Sequence, residues 1–247
     1  LDSLKKELFD LEAEHPELVT PDSPTQRVGG EPLKEFRKVR RSVPMLSLND
    51  AFSKDDLADW LKRIDKLLPE GEREYFCEYK IDGLAFEAVY EGGVLVSGST
   101  RGDGVVGEEV TENLKTVSSI PLRVREGDGE MGRFAEELCR GRFAARGEVF
   151  ISKSDLERMN RDRQAEGLTP FANTRNVAAG SIRQLDPKVA ASRNLDSFAY
   201  DLVADLAMET HSQKHELLKI LGFKVNPHSK VCRNIEEIHD FYDECKE

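Results

Sequence analysis

The chain has 247 residues, 38% of them apolar and 34% charged, and carries a formal net charge of −11 at pH 7. No apolar run is long enough to span a bilayer and no basic-then-apolar leader opens the chain, so a soluble, cytoplasmic protein is expected and a membrane protein is not. The acidic balance opposes an unaided grip on a polyphosphate backbone, which Lys and Arg drive by displacing counterions; the scattered Cys77, Cys139, Cys232 and Cys245 fit neither a zinc knuckle nor a disulfide framework.

Leu1, Leu4, Leu8 and Leu11 recur at helical spacing, predicting an amphipathic helix over Leu1 to Glu14 that His15-Pro16 ends. No capping residue precedes it, which suggests that sequence upstream has been lost. Thr20 to Thr25, with Gly29-Gly30 and Pro32, reads as a turn-rich linker. Ser53 caps a second helix to about Leu68, with Leu57, Trp60, Leu61 and Ile64 on one side, and Pro69-Glu70-Gly71 closes it. Tyr75 to Ile81, Ala85 to Tyr90 and Gly93 to Thr100 read as three strands of an antiparallel meander, the last two joined as a hairpin through Glu91-Gly92-Gly93.

Arg101-Gly102-Asp103-Gly104 turns the chain into a helix near Gly107 to Leu114, and Ile120 to Val124 resumes as strand. Residues 125–142 form an excursion around a short helix. Phe143 to Ile151 is a strand carrying Glu148, and Ser154 opens a helix to about Glu166. Phe171 to Asp186 is polar and small, with no element assigned. Phe198 to Leu206 reads as strand, Ser212 to Leu221 and Ile235 to Cys245 as helices. The pattern is α+β, antiparallel sheets with helices outside.

Glu78-Tyr79-Lys80-Ile81-Asp82-Gly83 carries the chemistry. If the strand continues through it, the two-residue repeat puts Glu78, Lys80 and Asp82 on one face, a placement that suits a cleft floor and not a core. A lysine amine attacks only when neutral, and its ordinary pKa near ~10.4 leaves little of it so at neutral pH. Flanking carboxylates hold the proton on, so a bound cation, the Arg101 charge or dehydration by a ligand must override them. A magnesium-bearing phosphate ester meets that need, and attack on its phosphorus would leave a phosphoramidate. Taken alone, the same window also describes an exposed strand lysine with two ion-pair partners. His15, His211, His215, His228 and His239 fall at neither metal nor triad spacing.

Lys80-Ile81-Asp82-Gly83 fits the KxDG signature of the covalent nucleotidyltransferases. Around it stand Ser42-Val43-Pro44-Met45-Leu46-Ser47-Leu48, Thr100-Arg101-Gly102-Asp103-Gly104, Arg146-Gly147-Glu148-Val149-Phe150, Phe171-Ala172-Asn173-Thr174-Arg175-Asn176 and Ala179 to Asp186. In that order and spacing they resemble the adenylation domain of the bacterial NAD-dependent DNA ligases. The resemblance implies an ATP-grasp-like ligase core over 31–247, preceded by the last helix and linker of an NMN-binding subdomain over 1–30. It also implies transfer of AMP from NAD to Lys80, the first step of sealing a nick in duplex DNA.

On the same grounds Ser47 and Leu48 would line the adenosine pocket, Glu78 would meet the adenine edge, Arg101 and Glu148 would hold the ribose and its neighbours, and Asp82 would stand near the phosphate and Mg2+. Asp2 would be the last acid of the NMN motif, with Leu1 where a tyrosine is usual. No protein-only metal site is implied. The family continues past the adenylating core into two phosphate-binding lysines, a barrel, a zinc finger and helical repeats, so full ligation by these 247 residues is not expected. A monomer is expected, with most DNA contacts made elsewhere. The rivals are an ATP-dependent DNA or RNA ligase and a non-catalytic nucleotide-binding fragment.

Overall fold

A computed structural model describes residues 2–28, 33–68 and 73–245. In chain order its elements are α1 (Asp2–Glu14), β1 (Lys38–Arg40), α2 (Lys54–Leu67), β2 (Tyr75–Glu78), β3 (Leu84–Glu91), β4 (Val94–Thr100), β5 (Val106–Glu108), α3 (Thr111–Lys115) and α4 (Gly129–Arg140). They continue with β6 (Arg142–Phe150), α5 (Lys153–Ala165), α6 (Thr174–Ile182), α7 (Pro187–Ala191), β7 (Asp196–Val203), α8 (His211–Ile220), β8 (Ser229–Cys232) and α9 (Ile235–Glu244). The chain divides into two compact units, one of Leu1–Met45 with Ile81–Val225 and one of Leu46–Lys80 with Asn226–Glu247.

The larger unit is built on an antiparallel four-stranded sheet in the order β4-β3-β6-β7. Alternation along β3 sends Phe86, Ala88 and Tyr90 to one side, all fully buried, where they meet Leu114 of α3, Ile182 of α6 and Leu217 and Leu218 of α8 in one apolar cluster. Each Phe, Leu or Ile side chain of that cluster stabilises the fold by roughly 1.5–3 kcal/mol when taken from water. Tyr90 stacks on Phe143 at 5.0 Å, meets the edge of Phe223 at 5.6 Å, and satisfies its hydroxyl by donating to the Pro121 carbonyl at 2.7 Å. Residues ahead of β1 are strapped down by polar contacts. Ser23 Oγ donates to Glu12 at 2.5 Å, Asp22 pairs with Arg123, and Arg27 Nη1 reaches the carbonyls of Lys115, Val117 and Ile120 at 2.9 to 3.2 Å.

In the smaller unit β2 pairs antiparallel with β8, Tyr75 facing Cys232 and Glu78 facing Ser229. Trp60 of α2 lies against Tyr75 at 5.9 Å, while Tyr79 stacks on His228 at 5.2 Å and tilts against Phe241 of α9 at 5.7 Å. Ser53 caps α2 by accepting from the Asp56 N–H, as the sequence led one to expect. All four cysteines are free thiols. Burial, then the neighbouring Cys232, pushes the Cys77 thiol up to about 12.

Helices and strands mostly fall where periodicity put them, with five corrections. β2 takes no part in a meander: β3 pairs with β4 and β6, and the partner of β2 comes from residues 229–232. β2 also ends at Glu78, which faces Ser229 at the start of β8, so Lys80 and Asp82 follow a strand instead of lying within one and the two-residue repeat that gave them a face in common with Glu78 does not apply. Residues 106–108 are strand, paired with β1, and the helix begins only at Thr111. Residues 120–124 make one isolated bridge, Val94 to Arg123, in place of a strand, and the small residues between 171 and 186 form α6. The turn at Pro69-Glu70-Gly71, the linker positions Gly29, Gly30 and Pro32, and Leu1 lie outside the described residues. Among the described residues no helix is long and apolar enough to cross a membrane.

Candidate functional site

The four-stranded sheet has a second face, and it is charged. Ala85 of β3 faces Glu148 of β6, Glu87 faces both Arg146 and Ser99, and Arg101 follows β4 with its N–H on the Ala85 carbonyl at 3.0 Å. Cross-strand neighbours point the same way, so Ser99, Glu87, Arg146 and Glu148 share this face opposite Phe86 and Ala88. Tyr200 joins them through an irregularity in β7, where Gly147 faces Ala199 and Arg146 faces Asp201 with Tyr200 between. Burial pushes the Tyr200 phenol well up, Glu148 adds to this, and Arg146 and Arg101 pull the other way, which places the hydroxyl within the field of all three.

Gly83 brings the first motif to this face. A Cβ there would sit 2.0 Å from the Val149 carbonyl oxygen, so only glycine lets β3 start this close to β6. Its N–H donates to Glu148 Oε1 at 3.2 Å, tying the Ile81-Asp82-Gly83 end of the motif to Glu148 across 65 positions of sequence. Next to it, Asp82 is exposed and pairs with Arg175 of α6 at 3.3 Å. Asn173 caps α6 by accepting from the Asn176 N–H, which sets Arg175 in the helix's first turn.

The Arg101 turn is fixed from two sides. Gly102 takes φ +56, and Asp103 Oδ1 accepts from the N–H groups of Val106 at 2.7 Å and Val105 at 2.8 Å; these bonds hold its carboxyl below the ordinary range. From inside, Arg41 Nη1 donates to the Arg101 carbonyl at 2.8 Å. Arg41 itself is buried beside Glu87, with Nε 3.5 Å from Oε1, and Glu87 Oε2 accepts from Arg146 Nε at 2.8 Å. The remaining arms of Arg146 hold the Val43 carbonyl at 2.5 Å and the Pro44 carbonyl at 3.2 Å. Burial pulls the Arg41 guanidinium below its usual value, against the effect of Glu87.

In the smaller unit Glu78 ends β2 half-buried, and Ser47, Leu48 and Lys80 are exposed, Leu48 at 82%. The aromatic packing of Tyr79 leaves its neighbour Lys80 at the unit's surface. Asp2 opens α1, and its side chain lies outside the described residues. Tyr200, Arg175 and the Arg41–Glu87–Arg146 group were not singled out by sequence. Arg175 stood inside a quoted motif, and Glu87 could have been found as an acid in an otherwise apolar strand; the irregularity that aims Tyr200 leaves no local signature.

Residues 33–247 match the family model described as NAD-dependent DNA ligase adenylation domain, and residues 1–29 match the one described as DNA ligase-like, N-terminal NAD+-binding domain. A DNA ligase of Thermotoga maritima is 46% identical over 248 residues, covering 100% of this chain and 34% of its own length. One from Halothermothrix orenii is 51% identical over 96% of the chain and 34% of its own length, and one from Bacillus licheniformis is 48% identical over 99% and 35%. The chain thus spans about a third of the length of the curated relatives it matches.

Proposed function

Because the chain belongs to the NAD-dependent DNA ligase adenylation-domain family, we propose that it carries out adenylyl transfer from NAD to Lys80, the step that charges the enzyme before a nick in duplex DNA is sealed. The bond from Gly83 N–H to Glu148 Oε1 carries this reading, because it joins two motifs distant in sequence where the central strands β3 and β6 meet. Lys80 Nζ attacks the α-phosphorus of NAD, a P–N bond forms, and the P–O bond to the nicotinamide mononucleotide phosphate breaks. That group leaves with the electron pair, and the amine proton passes to solvent.

Since Lys80 is exposed, the loss of water and of a proton that its attack requires comes with the bound nucleotide. Arg101 and Glu148 serve the ribose, Glu148 as an acceptor for a sugar hydroxyl; Glu78 meets the adenine edge, Ser47 and Leu48 line the adenosine, and Asp2 serves the NMN half. Asp82, an exposed carboxylate opposite Arg175, is suited to hold Mg2+ jointly with the nucleotide's phosphates, and the ion would offset the charge around the phosphorus. The finer fold assignment is an ATP-grasp-like covalent nucleotidyltransferase core. Residues 1–30 are the helix and linker of the NMN-binding subdomain and 31–247 the adenylation domain, acting as a monomer in the cytoplasm with nicked duplex DNA as partner.

Intact-mass measurement after incubation with NAD or ATP, on this chain and on its full-length polypeptide, tests the reading. Gain of one AMP from NAD, abolished by Lys80→Ala, is the expected result. Labelling that survives Lys80→Ala, or that requires ATP, overturns it.

A further inference from the structure

We propose that Arg41 is a positioning residue of the adenylation site, acting by fixing the backbone from which Arg101 leaves β4; this rests on the nucleotidyltransferase reading above. The Arg41 side chain is fully buried, and its fork closes on the chain at that point. Nη1 donates to the Arg101 carbonyl at 2.8 Å, and Nη2 donates to the Thr100 carbonyl and, at 3.0 Å, to Ser99 Oγ. Peptide groups are planar, so the Thr100 carbonyl sets the plane ahead of the Arg101 Cα and the Arg101 carbonyl the plane behind it. Holding both planes fixes φ and ψ of Arg101, and with them the direction in which its side chain departs.

The turn needs such a clamp. Gly102 at φ +56 and Gly104 at φ +95 follow at once, and glycine leaves a backbone soft. The Arg101 carbonyl also accepts from the Gly104 N–H at 3.0 Å, but that bond belongs to the turn and moves with it. Arg41 acts from a neighbouring segment stitched to the same turn, its own N–H on the Val105 carbonyl at 2.9 Å and the Met45 N–H on the Gly104 carbonyl at 2.8 Å. Room is kept for the fork at Gly107, where a Cβ would lie 2.7 Å from Arg41 Nη2 and 1.9 Å from the Thr100 oxygen. Packing alone gives a poorer account of this buried charge. Among the described residues Arg41 Nε has no hydrogen-bond partner and stands 3.5 Å from Glu87 Oε1, while Glu87 already holds Arg146 at 2.7 and 2.8 Å. Apolar replacements of such groups are often neutral or better for stability, and the pairing of β1 with β5 is a backbone ladder that asks for no guanidinium beside it.

The test measures the rate of NAD-dependent AMP labelling against NAD concentration in the full-length polypeptide, for wild type, Arg41→Met, Arg101→Ala and the double variant. Arg41→Met should raise the half-saturating NAD concentration by about tenfold while the limiting rate changes less than about twofold, and Arg101→Ala should raise it at least as much. In the Arg101→Ala background, Arg41→Met should add less than about twofold, because the side chain it positions is gone. A general loosening of the fold would multiply the two effects instead. Equal effects of Arg41→Met in both backgrounds, no effect in the first, or a neutral Arg101→Ala overturns the proposal. Arg41→Lys keeps the charge beside Glu87 without the planar fork and should show the same dependence on Arg101; should Arg41→Met not fold, that variant decides by the same comparison. Absence of an AMP label on wild type would defeat the nucleotidyltransferase reading, and this proposal with it.

Discussion

At Gly83 a single missing carbon decides how two strands meet. Any Cβ would lie 2.0 Å from the Val149 carbonyl oxygen and 2.9 Å from its carbon, and both are backbone atoms of a paired strand that cannot swing aside as a side chain would. Gly83→Ala must therefore push β3 off β6, and overpacking of this kind costs about 2–3 kcal/mol. Urea unfolding should show that loss together with a fall in AMP labelling, because the N–H on Glu148 moves with the strand. A change below about 0.5 kcal/mol would mean that the strands separate more easily than their ladder suggests. Lys224 and Asp196 give a residue-scale prediction in pH. Burial raises the Asp196 carboxyl, but hydrogen bonds from Lys224, Ser119 and the Ser197 N–H outweigh it, so the folded value lies below the ordinary 3.8. A lowered acid pKa stabilises the fold above the unfolded value and loses that contribution as pH falls through the folded one. Lys224→Met should therefore cost about 0.5 kcal/mol at pH 7, small because both side chains are partly exposed, and the difference should shrink as pH falls below the ordinary carboxyl value and the Asp196 carboxylate takes up its proton. A penalty that stays constant down to pH 2 would mean that packing of the lysine stem over Phe198, 5.0 Å from Nζ to the ring, is the cause.

Elements were legible where their signal is local. α2 and α9 show an apolar stripe and a capping residue, Ser53 and Asn234, and both appear within a residue or two of their sequence positions. α8 adds a reciprocal cap, with Thr210 accepting from the Gln213 N–H and the Gln213 side chain accepting from the Thr210 N–H. Thr210→Ala should cost about 1 kcal/mol, read as a lower thermal midpoint, because α8 buries His215, Leu217 and Leu218 and cannot fray without opening the core. No shift in the midpoint would show that the first turn is already loose. Strand pairing was not legible in the same way. β2 has the composition of a meander's first strand, yet its partner lies some 150 residues on, and nothing within Tyr75 to Gly83 distinguishes those alternatives. α6 was missed because Val177, Ala178, Gly180 and Ser181 are too small to draw an apolar stripe, though Asn173 at its start was a usable cap. For the site, residue identities in the motifs were legible and their geometry was not. Glu78, Lys80 and Asp82 looked like one face because the strand was carried past Glu78 to Ile81, three residues too far.

On the scale of the molecule, apolar burial is unequally shared. The cluster around Phe86, Tyr90, Leu114, Ile182 and Leu217 belongs to the larger unit, whereas among the described residues the buried apolar side chains of the smaller unit are Cys232 and Phe241. Conformational entropy is lost in both units alike, so the smaller one has much less to offset it, and segments with thin cores open at lower free energy than the global fold. Amide hydrogen exchange should show β2 and β8 exchanging at least tenfold faster than β3 and β6. Since Lys80, Glu78, Ser47 and Leu48 all lie in this weaker unit, a nucleotide that uses them binds its folded form alone and must slow that exchange by mass action. Addition of NAD at a hundred times its dissociation constant should protect residues 75–78 and 229–232. Equal exchange of both sheets in the free protein would show that the two cores open as one, and protection confined to the larger sheet would move the nucleotide away from Lys80.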